Sequence, residues 1–119
     1  MHILASSAVA VVALLHLFFL VLEMFLWTTP YGLRTFGLSR AEAEASRRLA
    51  ANQGLYNGFL AAGLVWGLLA ADGFSICVFF LTCVIVAGIF GAFTAKRSIL
   101  FVQALPGVIA LALVLLSRR

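Results

Sequence analysis

Charged residues are scarce in this chain of 119 residues: eight are basic, four are acidic, and together they make up 10% of the sequence. A soluble domain of this length carries charge on roughly a quarter of its residues. Hydrophobic residues instead account for 65% of the chain. The scarcity of charge argues against an ordinary soluble domain, and the composition predicts a membrane protein.

Cysteine is also scarce, with Cys77 and Cys83 as the two examples. Six residues apart on one predicted helix, they turn to roughly opposite faces, so they cannot bond each other or chelate one metal ion. The sequence also has no serine-histidine-acid, metal-ligand or phosphate-loop pattern. We therefore expect no metal and no cofactor, and whether the protein is an enzyme stays open.

Four long apolar segments make up most of the chain. Each approaches or exceeds the ~20 residues that a helix needs to cross about 30 Å of hydrocarbon, and none alternates in polarity like the strands of a membrane barrel. The sequence predicts an all-α polytopic membrane protein, a single domain over residues 1–119 with four transmembrane helices in an up-down bundle. The apolar segments lie near Ile3–Trp27, Leu49–Ala71, Phe74–Ala95 and Ile99–Leu116.

The first apolar segment lacks the basic start and the A-x-A cleavage pattern of a secretion signal, and it is longer than one. We therefore expect it to be retained as a helix. Trp27 lies where an aromatic residue of the membrane interface is expected, and Thr28, Thr29 and Pro30 follow it as a helix stop.

The second helix is expected to begin before its apolar part. Residues 39–42, SRAE, have the pattern of a capping box. Strong helix formers follow, and Glu44 is spaced to pair with Arg47 or Arg48. We expect one continuous helix over residues 40–71, with its first turns extended into the cytoplasm. The other three helices are placed at about residues 3–27, 74–95 and 99–116.

Basic residues are unevenly distributed among the loops. The positive-inside rule places the more basic loops in the cytoplasm, so loops one and three are expected there and both termini outside. This topology also explains the net charge of +4, and we expect no nucleic-acid partner. Loop one carries Arg34, Arg40, Arg47 and Arg48, loop three carries Lys96 and Arg97, loop two holds only Asp72, and the tail holds Arg118 and Arg119.

Polar side chains recur at the cytoplasmic end of the four predicted helices. Glu23 is the one formal charge in residues 3–27, and a carboxylate at that depth usually faces a partner or a cavity. Burying amides is likewise costly unless they bond each other or a ligand. We predict a buried polar site in which Glu23 bonds at least one amide. The candidate ligand-binding residues are Glu23, His16, Arg48, Asn52, Gln53, Tyr56, Asn57, Lys96 and Gln103.

His16 lies two helical turns from Glu23 on the same face, about 10 Å deeper in the membrane. A neutral histidine bonded to a neighbouring helix is the commoner case, and a proton relay from His16 to Glu23 is the alternative.

Small residues recur at four-residue spacing in two helices. Gly54 and Gly58 make one such stripe, and Gly88 and Ala92 make another. Close packing within the bundle explains both stripes at least as well as a dimer interface.

Three stretches of the chain are distinctive together: HLFFLVLEMFLW (His16–Trp27), LAANQGLYNGFLAAGL (Leu49–Leu64) and GAFTAKRSILFVQALPG (Gly91–Gly107). They resemble a bacterial family of small integral membrane proteins, the domain of unknown function thirteen-oh-four. The resemblance covers nearly the whole chain and implies four membrane helices in a bacterial inner membrane, without an established activity.

A shorter stretch is similar to the membrane-associated proteins of eicosanoid and glutathione metabolism. That resemblance implies a four-helix bundle, often trimeric, whose site opens to the cytoplasm. Their second helix carries R-A-x-x-N-x-x-E-Y, and Arg48, Asn52 and Tyr56 match its Arg, Asn and Tyr. Leu49 replaces the Ala, and Leu55 stands where the glutathione-binding Glu would be.

These observations leave three classes of function open. The polar site could bind, or even modify, a lipophilic or amphipathic small molecule. The chain could instead be a structural or accessory membrane subunit. It could also resemble the small multidrug exporters, with Glu23 exchanging protons for cationic drugs. Expected partners are membrane lipid and an amphipathic small molecule, with a dimer or trimer of the chain left open.

The predicted topology can be tested with a fluorescent protein that matures only in the cytoplasm. Fused after Arg119, it should stay dark although the fusion is detected by immunoblot in the inner membrane, because the C-terminus is expected outside. Bright cells would overturn the orientation and would move the polar site to the outer side.

Overall fold

A computed structural model of the chain describes residues 1–95, 98 and 100–118, and every regular element in them is helical. The predicted all-α class is therefore confirmed. By contact, the chain divides into two compact units, one of residues 15–59 and one of residues 1–14 with 60–119. The helices are α1 (Ile3–Met24), α2 (Pro30–Phe36), α3 (Arg40–Leu69), α4 (Phe74–Thr94) and α5 (Leu105–Ser117), and a π-helical segment (Leu100–Ala104) precedes α5.

Among the described residues, three helical stretches are long and apolar enough to cross a membrane: Ile3–Met24, Phe74–Thr94 and Leu100–Ser117. Less than a third of the most apolar part of each is buried, so most of its apolar side chains face outward, as lipid-facing helices require. α3 falls outside this group because charged and amide side chains occupy much of its first half. The coarser prediction of a membrane protein agrees with these helices.

α3 begins at Arg40 and runs without a break to Leu69, as the continuous helix was predicted to do. The capping box is formed: the Glu42 N–H donates to the Ser39 hydroxyl (3.1 Å), and the Ser39 N–H donates to the Glu42 carboxylate (2.9 Å). The bond from the Ser39 backbone, assisted by the Ser39 hydroxyl, lowers the pKa of the exposed Glu42 carboxyl. Caps of this kind satisfy N–H groups that the first helical turn leaves without partners.

The expected ion pair between Glu44 and Arg47 or Arg48 is wrong. All three side chains are exposed, and the salt bridge that the described residues contain joins Asp72 to Arg118 instead. Long exposed side chains gain little by holding one geometry, because the entropy lost offsets a screened attraction.

A short helix, α2, was not predicted. Pro30 was interpreted only as the end of the first helix, but it also begins α2, where its fixed φ and missing N–H suit the first turn. The Thr29 hydroxyl accepts the Gly32 N–H (3.2 Å) as the N-terminal cap. Gly37 ends the helix at φ 65°, a left-handed conformation that glycine adopts without strain.

The core of the larger unit is wholly apolar and draws on α1, α3, α4 and α5. It includes Cys77, which is fully buried and free, so this cysteine is the small packing residue that the sequence predicted, while Cys83 is free and half-buried. The core cluster consists of Ala5, Val9, Val12, Ala13, Leu64, Cys77, Leu81, Val84, Ala110 and Val114.

Glycines bring helices into close contact within each unit. A Cβ added at Gly88 of α4 would lie 2.7 Å from the backbone nitrogen of Ala104. A Cβ added at Gly58 of α3 would lie 2.7 Å from Cδ1 of Leu20, the end of a flexible side chain. These glycines therefore serve helix packing within the chain, the first of the two interpretations of the small-residue stripes.

The two glycines predict different costs for the same substitution. Gly88→Ala should lower the free energy of unfolding by about 1–3 kcal/mol, because backbone must move to admit the methyl group. Gly58→Ala should be nearly neutral, since the tip of Leu20 can rotate away. Unfolding in mixed detergent micelles, followed by circular dichroism, measures both, and equal costs would contradict the packing described for Gly88.

Candidate functional site

Glu23 of α1 and Asn57 of α3 are joined by a hydrogen bond within residues 15–59. The Asn57 amide donates from Nδ2 to Oε1 of the Glu23 carboxylate. Asn57 is 5% exposed, and Glu23 is half-buried. The prediction that Glu23 bonds at least one of the nearby amides is therefore confirmed.

Small residues on α3 make this contact reachable. Gly54 and Gly58 are four residues apart and share one face of α3, and Gly54 lies one turn before Asn57. A Cβ at Gly54 would lie 2.7 Å from the Met24 side chain and 3.1 Å from Cβ of Glu23. The two helices thus approach closely enough for a short asparagine side chain to reach the carboxylate.

The Glu23 carboxylate keeps acceptor capacity beyond this bond. A carboxylate offers two oxygens and about four acceptor positions, and among the described residues Glu23 accepts one hydrogen bond, from Asn57. In the described part of the chain, no side-chain oxygen or nitrogen is both buried and without a hydrogen bond. The second oxygen of Glu23 is therefore not fully buried.

Four other predicted site residues lie on α3, and none of them forms a hydrogen bond with Glu23. Asn52 and Tyr56 are turned about 140° and 100° away from Asn57 around the helix, and the Tyr56 ring packs edge-on against Phe59 at 5.8 Å between centroids. The four side chains project outward from the helix. The exposed set consists of Arg48, Asn52, Gln53 and Tyr56.

His16 is fully buried, and its ring meets that of Phe19 edge-on at 5.3 Å between centroids. It makes a further interaction within the chain, whereas the hydrogen bond that Glu23 accepts comes from Asn57. The relay from His16 to Glu23 therefore has no direct hydrogen bond between the two residues, and it stays a prediction.

The last two predicted site residues lie near the start of the fourth predicted segment. Gln103 is half-buried in the π-helical segment before Pro106 and has an interaction within the chain. A π-helical turn beside a proline relieves the backbone contact that the ring would make in a regular α-helix. Lys96 lies outside the described residues, as do Arg97, Ile99 and Arg119.

One polar contact near the site was missed from the sequence. The Trp27 indole N–H donates to the Ser46 hydroxyl (3.1 Å), which itself donates to the Glu42 carbonyl (2.8 Å). Trp27 was interpreted only as an interfacial aromatic. The signal available in the sequence was the spacing of Ser46, three residues after Ala43 and four before Ala50, which puts the three residues on one side of the helix. The structure shows that both alanines are buried.

The larger unit has a cavity of about 180 Å³ beside the turn between α3 and α4. Arg118 at its edge pairs with Asp72 (3.6 Å) and lies over the Phe74 ring, 4.3 Å from the centroid. These charges neutralise each other at an exposed edge. Among the described residues, no three histidine, cysteine or acidic side chains come together as metal ligands.

The fold and the contact at Glu23 define a small all-α protein whose apolar helices are compatible with a membrane and whose α1 and α3 share a polar contact. The chain belongs to the family described as proteins of unknown function, DUF1304, whose model matches residues 10–115. The family resemblance noted from the sequence is therefore confirmed. The matched range includes both Glu23 and Asn57.

A relative with a similar length supports the same family assignment. The chain is 29% identical over 114 residues to the uncharacterised protein YpaA of Lactococcus lactis, over 93% of this chain and 96% of that protein. No solved structure matches the chain. Functional inference therefore depends on the residues themselves.

A double-mutant cycle tests the contact between Glu23 and Asn57. Glu23→Leu and Asn57→Leu should each destabilise the fold, because each leaves a polar group without its partner. The double variant should lose less than the two single losses combined, with a coupling of about 0.5–2 kcal/mol. Reversible unfolding in mixed micelles gives the four free energies.

Glu44 and Asn52 provide the matched control, because both are exposed on α3 and neither takes part in this contact. The same leucine substitutions there should combine additively to within about 0.5 kcal/mol. A coupling at the control pair as large as that between Glu23 and Asn57 would show that the cycle does not report the hydrogen bond.

Proposed function

We propose that this chain is a multi-pass membrane protein that binds an amphipathic small molecule at Glu23. α3 supplies the fourth span in this proposal and completes an up-down bundle. With 30 residues, α3 is about 45 Å long, so it can cross about 30 Å of hydrocarbon and still extend its charged first turns beyond the membrane.

The membrane placement is supported by the apolar surface. Side chains such as Phe93 (87% exposed) and Leu69 (81% exposed) face outward from α4 and α3, where water would solvate them poorly and lipid would cover them. The charge distribution along the chain supports cytoplasmic loops one and three and outer termini. We place the protein in a bacterial inner membrane on the family resemblance.

The observation that carries the ligand proposal is the second oxygen of Glu23, which is not fully buried and accepts no hydrogen bond from a described residue. Asn57 holds one carboxylate oxygen, so the carboxylate is oriented before a ligand arrives, and the other oxygen can accept a hydrogen bond from an amine, hydroxyl or amide group. Such a pre-oriented polar group among apolar side chains is typical of small-molecule sites. The apolar part of the ligand would lie along the exposed hydrophobic faces of the helices.

The remaining predicted site residues take secondary roles in this proposal. Arg48 offers a positive charge to an acidic group of the ligand, and the side chains of Asn52, Gln53 and Tyr56 are exposed on the same part of α3. Lys96 is assigned the same role as Arg48 from its predicted position at the cytoplasmic end. The proposal specifies recognition and names no reaction.

A structural role is the second candidate, and the burial of Asn57 favours it. If the hydrogen bond only holds α1 to α3, the chain would serve as an accessory subunit, and a substitution that keeps the bond would have no further effect. A proton-coupled exporter differs from both, because its transport requires that Glu23 itself gain and lose a proton.

Glu23→Gln separates these functions, because glutamine retains the acceptor for Asn57 and removes the charge. For a ligand site, we expect phosphatidylethanolamine, a long-chain alkyl thiol or a cationic dye to raise the Tm of the wild-type protein in detergent. A ligand that binds only the folded state stabilises that state. The Gln variant should keep its basal Tm and lose that shift. Differential scanning fluorimetry with each probe provides the measurement.

Glu44→Gln is the control, because it removes an exposed charge from the same chain and should leave the ligand shift unchanged. The ligand site would be contradicted, and the structural role supported, by three results together. No probe shifts the Tm of the wild-type protein, Glu23→Gln leaves the basal Tm unchanged, and Glu23→Leu lowers it. If cells that express the wild-type protein resist a toxic cationic dye and Glu23→Gln abolishes that resistance, the result would instead support the exporter.

A further inference from the structure

Four exposed arginines between residues 34 and 48 form no salt bridge with any described residue. The salt bridge that the described residues contain lies elsewhere, between Asp72 and Arg118. Glu42, the nearest acidic residue to Arg40, is held in the capping box by the Ser39 N–H. The set, which we call the arginine surface, consists of Arg34, Arg40, Arg47 and Arg48.

The segment that carries these arginines is held in place and is not a loose linker. The Trp27 ring packs on Phe36 at the end of α2, with 4.6 Å between centroids. The same indole donates to Ser46 in the second turn of α3 (3.1 Å). The two contacts hold α2 against the beginning of α3, so Arg34 and the arginines of α3 lie on one ordered segment of the chain.

Large apolar side chains of the same part of the chain, residues 25–49, are also exposed. Phe25 precedes α2 and is 68% exposed, Tyr31 lies in α2 and is 46% exposed, and Leu49 follows the last two arginines and is 76% exposed. Apolar and aromatic side chains next to arginines are typical of segments at the boundary between acyl chains and headgroups. Arginine binds phosphate oxygens in a bidentate manner.

Helix stability does not explain why an arginine occupies position 40. It is the first residue of α3, where the helix dipole favours a negative charge and disfavours a positive one. An external phosphate group would be attracted both by the arginine and by the beginning of the helix.

We propose that the arginine surface binds the phosphate groups of anionic phospholipids in the adjoining leaflet. The apolar neighbours Phe25, Tyr31 and Leu49 would insert among the acyl chains of the same lipids. This inference uses the membrane placement of α1 and α3 in the proposed function. It does not require ligand binding at Glu23, because Arg34, Arg40 and Arg47 have no role in that site.

The test is a lipid titration of the full chain in detergent. Phosphatidylglycerol and phosphatidylcholine with identical acyl chains are added separately, and bound lipid is counted by native mass spectrometry. We expect phosphatidylglycerol to bind more tightly, with about a fivefold loss of affinity for each arginine changed to glutamine. The preference should weaken as salt is added, because exposed charges are screened.

Two variants make the result specific. Arg118→Gln removes a basic residue that already pairs with Asp72, so it should leave the lipid preference intact. A variant with lysine in place of all four arginines of the arginine surface should retain most of the preference for phosphatidylglycerol, since the positive charges remain. Equal binding of the two lipids by the wild-type protein, or equal losses from Arg118→Gln and from Arg47→Gln, would overturn the proposal.

The lipid test is distinguishable from the ligand test at Glu23. Glu23→Gln leaves all four arginines in place, so it should not change the preference for phosphatidylglycerol. A failed ligand shift with an intact lipid preference would contradict the site at Glu23 alone, and the reverse result would contradict the arginine surface alone.

Discussion

The arrangement of residues 15–59 depends on the cost of placing a carboxylate among apolar side chains. A buried polar group without a partner loses several kcal/mol relative to water, or about 1–3 kcal/mol by mutational measures. The Asn57 amide offsets part of that cost by donating a hydrogen bond to Glu23. Because Asn57 is itself buried, the bond gives its amide a partner and occupies one oxygen of Glu23.

Close packing and hydrogen bonding support each other at this contact. Gly54 and Gly58 leave room for the side chains of Met24 and Leu20, which brings α1 near enough for Asn57 to reach across. A larger residue at Gly54 would push the helices apart and would lengthen the bond. The polar contact in turn sets which face of α3 meets α1, a choice that nonspecific apolar packing would leave open.

The two ends of α3 have different physical surroundings. Its first turns carry the capping box, the contact with Trp27 and three exposed arginines, whereas its last turns pack into an apolar core with α4 and α5. A helix with one polar end and one apolar end is suited to pass from a membrane surface into lipid. Function is therefore expected at the polar end, where hydrogen-bonding groups and charge are available, and both proposals concern that end.

Composition and local pattern were enough to predict the all-α class, the membrane character and the capping box at Ser39, because apolar run length and capping depend on neighbouring residues. The family was identified separately, from the resemblance of three longer stretches of sequence. Asn57 could be placed among four candidate amides, but the sequence could not choose between them. That choice, like the docking of α2 by Trp27 and the outward positions of Asn52 and Tyr56, depends on how α1 and α3 rotate against each other. Only tertiary packing sets that rotation, because the side chains that determine it are distant in sequence.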